Sequence, residues 1–336
     1  AAMAASIQWE HAQLLWHEGS RGQPCARAMA LRAATALAGR AASLEPSAML
    51  AGGPVARRHE LTALMQSCRH CAAWGVAEGR CHWQQAAALY ERALAIIGDD
   101  GTIAGEKCDT HAAFAEWLEA EHRAAVVHRG QSPNEQRSMQ LYERANKELG
   151  GVLEQLDMQP PHPPNKSAAA TKVAALKHRE ALLHSHIASY DQAARRQRDR
   201  QLSLASSALR QHAACARCGD GHDHASLFGI VGLWLEYGSE LAEAQQELTS
   251  LPTHKLLPLI TQLACRLGPL SSGDGFQPAL RQVLKRVARA HLHVVLPHIF
   301  ALAHGDRFAP GEGIPIIDHG QLEAAKELLK ELRREE

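Results

Sequence analysis

Within the stretch ACARCGDGHDHASLFGIVGLWLE, Ala214–Glu236, two cysteines and two histidines fall close together: Cys215, Cys218, His222 and His224. Thiolate and imidazole are ligands that zinc accepts in a four-coordinate shell, and a Cys-x-x-Cys pair supplies two of them. Gly219 and Gly221 would give the backbone freedom that so tight a knuckle needs. The spacing matches no standard zinc finger, however, and a glycine-rich turn between two helices, with buried cysteine and surface histidine, accounts for the same residues. Both readings stay open; unless these four residues hold zinc, no cofactor is expected of the chain.

The remaining clusters point to packing rather than chemistry. Cys68 and Cys71 share a helical face with Leu64, where a free cysteine fills space, and Cys81 and His82 lie further along. His291 and His293 are two apart and so point to different sides of a helix, which makes His291 a packed or capping residue rather than half of a metal face. Arg195, Arg196, Arg198 and Arg200 offer charge to phosphate but are interrupted by Asp199 and lack interleaved aromatics, so a solvated face is expected and direct nucleic-acid binding is not. Trp117, Phe228 and Trp234 read as core anchors. No phosphate loop, nucleophile elbow, zincin, dinucleotide or kinase signature occurs, and no catalytic residue is expected.

The elements that carry these residues are helical by composition. Of 336 residues, 46% are hydrophobic, 21% charged and 4% aromatic, a folded, soluble, all-α composition. Lys plus Arg equals Asp plus Glu at 36 each, so no net field draws the chain to nucleic acid or an anionic membrane. Eight cysteines over this length are too dilute for a disulfide scaffold and fit a reducing compartment. No leader-like segment and no membrane-length apolar run is present, and the start AAMAASIQWE reads as a piece cut from a longer chain.

Helical periodicity divides the chain. Residues 1–156 read as paired helices, the first carrying Ile7, His11, Leu14 and Leu15 at helical spacing, and LYERA recurs at Leu89–Ala93 and Leu141–Ala145. This predicts an α-solenoid of degenerate tetratricopeptide- or HEAT-like helical pairs. Residues 157–167 form a proline-rich connector or insert. Residues 168–310 begin with one long helix and continue into densely apolar helices. There, His254–Gly268 reads as a single helix with Leu256, Leu259, Ile260, Leu263 and Leu267 on one stripe, and Pro297 should kink or split the helix of Val294, Val295, Ile299 and Leu302. Residues 311–336 form a charged terminal helix whose partner lies outside the chain or on its flank.

From Asp199 onward the chain resembles the C-terminal part of the FAT domain of the ATM-like phosphatidylinositol 3-kinase-related protein kinases. The resemblance is carried in order by Asp199 and Arg200, His222 and Asp223, the LWLE containing Trp234, Lys255 and Pro258, Gln262 and Arg266, Gly275 and Phe276, His291 and His293, and the ALA at 301–303. Upstream, CAAWGVAEGR and QLLWHEG resemble earlier repeats of that domain more loosely. The resemblance implies a non-catalytic scaffold that clamps and regulates a kinase domain absent from this chain, within a nuclear, homodimeric serine/threonine kinase of DNA double-strand-break signalling. ATP and a divalent metal are implied only for that kinase domain, and DNA-damage sensor proteins are implied as partners. An independent tetratricopeptide-type adaptor and a zinc-stabilised binding module are the alternative readings.

Overall fold

Alanine, leucine, arginine and glutamate favour helix, and they dominate the residues that the computed structural model describes: 2–20, 24–43, 54–77, 83–97, 104–127, 133–158, 166–270, 275–305 and 319–334. Helices and short turns make up these residues, with no strand among them. No described helix is long and apolar enough to cross a membrane. The chain divides into two compact units, one of residues 1–119 with 205–336 and one of residues 120–204.

The first unit opens with α1 (Ala2–Ser20), α2 (Pro24–Ser43), α3 (Pro54–Ala77) and α4 (Trp83–Ile97) packed as successive pairs. Alanines let the helix backbones approach while indoles fill the remaining space. Ala5, Trp9 and Ala12 of α1 meet Ala30, Ala34 and Leu37 of α2 and Ala63 and Trp74 of α3, and Trp74 stacks on Trp16 at 4.5 Å. The buried face of α1 is therefore the Ala5, Trp9, Ala12 stripe, whereas Ile7 and Leu14, expected to mark it, are exposed. A single indole buries more surface than isoleucine or leucine, so Trp9 sets the helix's rotation. Cys68 and Cys71 are buried against Leu64 and Trp74 respectively, while Cys81 and His82 lie outside the described residues.

The second unit holds the end of α5 (Ala104–Val127), α6 (Pro133–Asp157) and most of α7 (Lys166–Cys218), the long helix expected after the proline-rich segment. Its core is thin, built on Ala145, Val152 and Leu183, with Tyr142 stacked on Tyr190 at 4.4 Å. Gln197 and Gln201 both donate to the Ala125 carbonyl at 3.0 Å. The two LYERA copies have diverged in use: Leu89 is half-buried and Tyr90 buried, whereas Leu141 is exposed and Tyr142 half-buried. Residues 159–165 of the proline-rich segment lie outside the described residues.

The C-terminal part of the first unit comprises α8 (Asp223–Tyr237), α9 (Ala242–Ser250), α10 (Ile260–Ala264), α11 (Phe276–Ala290), α12 (Leu292–Ala303) and α13 (His319–Arg334). The stripe from Leu256 to Leu267 is buried as expected, but not on one helix. Thr253–Leu259 is a 3-10 helix that passes to the short α10, because Pro258 lacks the N–H that a continuous α-helix would use there. Nor does the next break fall at Pro297. The chain breaks at His291 (φ −142°, ψ 50°) and restarts, and Pro297 stays inside α12, midway along its 12 residues, without splitting it. The terminal helix finds its partner on the flank of this chain. Leu322, Ala325, Leu328 and Leu332 are buried, and α13 packs on α11 and α12.

Candidate functional site

Cys218–Asp223 is the connection between the end of α7 and the start of α8, and the 3-10 helix Thr253–Leu259 places Lys255 beneath it. A helix end leaves carbonyls without intrahelical partners and carries partial negative charge, so it favours a cation. The Lys255 ammonium fills that role: its Nζ donates to Ala216 O at 2.8 Å, Gly219 O at 3.1 Å and Asp223 Oδ1 at 2.8 Å, and lies 2.8 Å from Asp220 Oδ1. Its side chain is only 7% exposed. Burial alone would lower the Lys255 pKa, but the bonds to Asp220 and Asp223 outweigh it and raise the value above the ordinary lysine range. The exposed Asp220 carboxyl is correspondingly lowered by its hydrogen bond to Lys255. Asp223 also opens α8, where a carboxylate suits the positive end of the helix.

The four proposed zinc ligands are not brought to one point. Cys215 is buried and directs its sulfur to Cys108 on α5, 3.5 Å away. His222 Nε2 meets Asp109 Oδ1 at 2.8 Å, and His224 lies against the Phe228 ring at 4.5 Å. Cys218 is half-buried beside Cys108 and Cys215. Among the described residues no group of three or more His, Cys, Asp or Glu side chains is placed to hold a metal ion. The divergence has a physical cause: residues 215, 218, 222 and 224 sit on a helix end, a turn and a new helix that face different neighbours, and an ammonium already occupies the centre of the turn.

The same seam between α5 and α7 continues as polar pairs. His111 Nδ1 lies 2.7 Å from Gln211 Oε1, and the His212 Nε2 lies 2.9 Å from Glu119 Oε1. Burial lowers the His111 pKa. Gly229 on α8 lets the His212 ring approach its backbone, since a Cβ there would stand 2.4 Å from Nε2. Burial, followed by the Cys215 thiol, pushes Cys108 up to about 12.

The other residues of the family pattern are dispersed. Trp234 is buried against Phe276 at 4.9 Å, and Gly275 precedes α11. His291 joins α11 to α12, its carbonyl accepting from the Val294 and Val295 N–H groups and its Nε2 lying 3.1 Å from Thr253 Oγ1. The Arg266 carbonyl accepts from Gln277. Pro258, Gln262 and His293 are exposed, Asp199 is exposed on α7, and Arg200 lies 3.8 Å from Glu121. Of the expected anchors, Trp234 is buried and Trp117 half-buried, but Phe228 is exposed against His224. Asp109, Cys108 and Asp220 were not marked by any motif. Only the acidic flanks of the cysteines hinted at Asp109 and Asp220.

No protein-family model matches the chain. The chain is 33% identical over 105 residues, 30% of its length, to the serine-protein kinase ATM of Sus scrofa, and 28% identical over 144 residues, 40% of its length, to the serine/threonine-protein kinase ATM of Arabidopsis thaliana. It spans only 3% and 4% of those relatives. Among solved structures it matches the open conformation of CtTel1 with a TM-score of 0.59 at 16% identity, over 98% of this chain and 10% of that one. It matches the FAT and kinase domain of CtTel1 with a TM-score of 0.57 at 16% identity, over 97% of this chain and 19% of that one. The complete CtTel1 dimer with C2 symmetry gives 0.58 at 17% identity, over 98% of this chain and 10% of that one. Over 30 to 40% of its length the chain is therefore homologous to a segment of the ATM kinases, and its fold is the all-α solenoid of degenerate helical pairs shared with these structures.

Proposed function

We propose that this chain is a non-catalytic helical scaffold, the FAT segment of an ATM-like serine/threonine protein kinase, and that it clamps and regulates that enzyme's kinase domain in DNA double-strand-break signalling. The observation that carries this reading is the 33% identity over 105 residues to an ATM kinase. The fold match over 97% of the chain to a FAT and kinase domain structure supports it. The Lys255 turn suits a scaffold: its donors and acceptors face one another and hold the α7–α8 junction in one geometry. On this reading the kinase domain lies on the same polypeptide and supplies ATP and divalent-metal chemistry. The parent is a nuclear homodimer, and DNA-damage sensors act on it as partners.

The test is binding of the purified chain to the separately expressed kinase domain from the same reading frame. A stable complex, weakened by substitutions on exposed α12 positions that leave the circular-dichroism melt unchanged, is the expected result. A folded chain that shows no binding at micromolar concentration would count against the scaffold role.

A further inference from the structure

Cys108 on α5 and Cys215 on α7 face each other with their sulfurs 3.5 Å apart. Each sulfur is also directed at the other residue's carbonyl, Cys108 Sγ at Cys215 O (3.7 Å) and Cys215 Sγ at Cys108 O (3.4 Å), so the two backbones are already drawn together at this crossing. Disulfide sulfurs stand about 2.05 Å apart, and a closure of about 1.5 Å would bond this pair. Both residues are buried, but Cys218, one turn along α7, packs on the same pair and is half-exposed. Cys265 is exposed and lies outside this cluster.

We propose that Cys108 and Cys215 form a reversible intrachain disulfide, with a peroxide as oxidant and Cys218 as the thiol that meets it first. The Cys218 sulfur attacks hydrogen peroxide; an S–O bond forms, the O–O bond breaks, and a sulfenic acid and one water result. The Cys108 sulfur then attacks the Cys218 sulfur, forming an S–S bond and releasing the hydroxyl with the thiol proton as a second water. Cys215 displaces Cys218 from the Cys108 sulfur, and Cys218 leaves as a thiol. In sum, two thiols are oxidised to one disulfide and one peroxide is reduced to two waters. Burial, which pushes the Cys108 thiol up to about 12, keeps that thiol from reacting with peroxide directly, so the exposed part of Cys218 is where the oxidant enters. The bond would join the start of α5 to the end of α7, beside the turn that Lys255 holds.

The experiment exposes the whole chain to hydrogen peroxide, blocks free thiols by alkylation, digests without reduction and maps the cysteines by mass spectrometry. A peptide linking Cys108 to Cys215, lost on treatment with dithiothreitol and accompanied by a rise in melting temperature of about 5 °C, is expected. Cys218→Ser, checked for an unchanged melt in the reduced state, should slow its formation by about tenfold, whereas Cys265→Ser should not. The proposal is overturned if Cys108 and Cys215 are recovered as alkylated thiols once Cys265 is fully oxidised, or if the final linkage joins Cys108 to Cys218. An unchanged rate in Cys218→Ser overturns the assigned relay.

Discussion

A buried ammonium must keep its three N–H donors engaged, and Lys255 spends them on Ala216 O, Gly219 O and Asp223. Methionine keeps the length of the stem but leaves those acceptors facing one another without a cation. Lys255→Met should therefore cost about 3 kcal/mol, read as a lowered urea midpoint at unchanged m-value. Arginine should not restore it, because a planar fork cannot converge on four acceptors arranged around a point charge. Gly229 carries a second prediction. The His212 ring is buried and held by Glu119, so it cannot yield to a Cβ 2.4 Å from its Nε2. Gly229→Ala should destabilise by about 2 kcal/mol, and in combination with His212→Ala the two losses should sum to less than their separate values in a double-mutant cycle. Protonation supplies a third. Burial depresses the His70 and His111 pKa values below the unfolded imidazole's 6.5 or so. The unfolded chain then binds more protons as pH falls through that range, so stability holds above about pH 6.5 and declines below it. His111→Gln should flatten the decline measured by denaturant titration between pH 7.5 and 5.5.

At the scale of elements, α13 shows what charge patterning conceals. Its sequence GQLEAAKELLKELRREE reads as a charged helix, yet Leu322, Ala325, Leu328 and Leu332 form a buried face. The buried Arg281 of α11 reaches Glu327 at 2.9 Å and Glu331 at 3.6 Å, and Lys285 also pairs with Glu331. Truncation before His319 would uncover that apolar face and strip Arg281 of its carboxylates. Amide hydrogen exchange in α11 and α12 should then accelerate by at least about tenfold, while α1 to α4 keep their protection. The helices themselves, the buried stripe from Leu256 to Leu267 and the long α7 were legible because 3.6-residue periodicity and proline positions act within one turn of chain. The rotation of α1 was not, since Trp9 rather than Ile7 decides it through contacts with α3. The Lys255 turn was half legible: its residues stood out as a pattern, but the partner of each is fixed by tertiary contacts between residues 32 to 113 positions apart, which no local spacing encodes.

Across the whole molecule, burial is distributed unevenly, and stability should follow it. In the first unit Leu248, Leu251, Leu256, Leu259, Leu263, Leu280, Val283 and Leu284 are sealed from solvent, and Arg286 closes the end of α9 through 2.8 Å bonds to the carbonyls of Leu248, Thr249 and Leu251. Among the described residues of the second unit the buried apolar set is small, Leu141, Leu153 and Leu182 are exposed, and the ion pair of Arg179 with Glu148 is largely solvated. Apolar burial contributes about 25 cal/mol per Å², whereas a solvated ion pair contributes about 1 kcal/mol or less. Local opening of α6 and of the part of α7 before Leu204 should therefore need less free energy than opening of α8 or α11. Native-state hydrogen exchange at increasing urea should release the amides of residues 133–158 and 166–200 first, ahead of those of 223–237 and 276–290. Coincident release of both sets would show instead that the chain unfolds as one cooperative block, and that the thin core of the second unit is no measure of its stability.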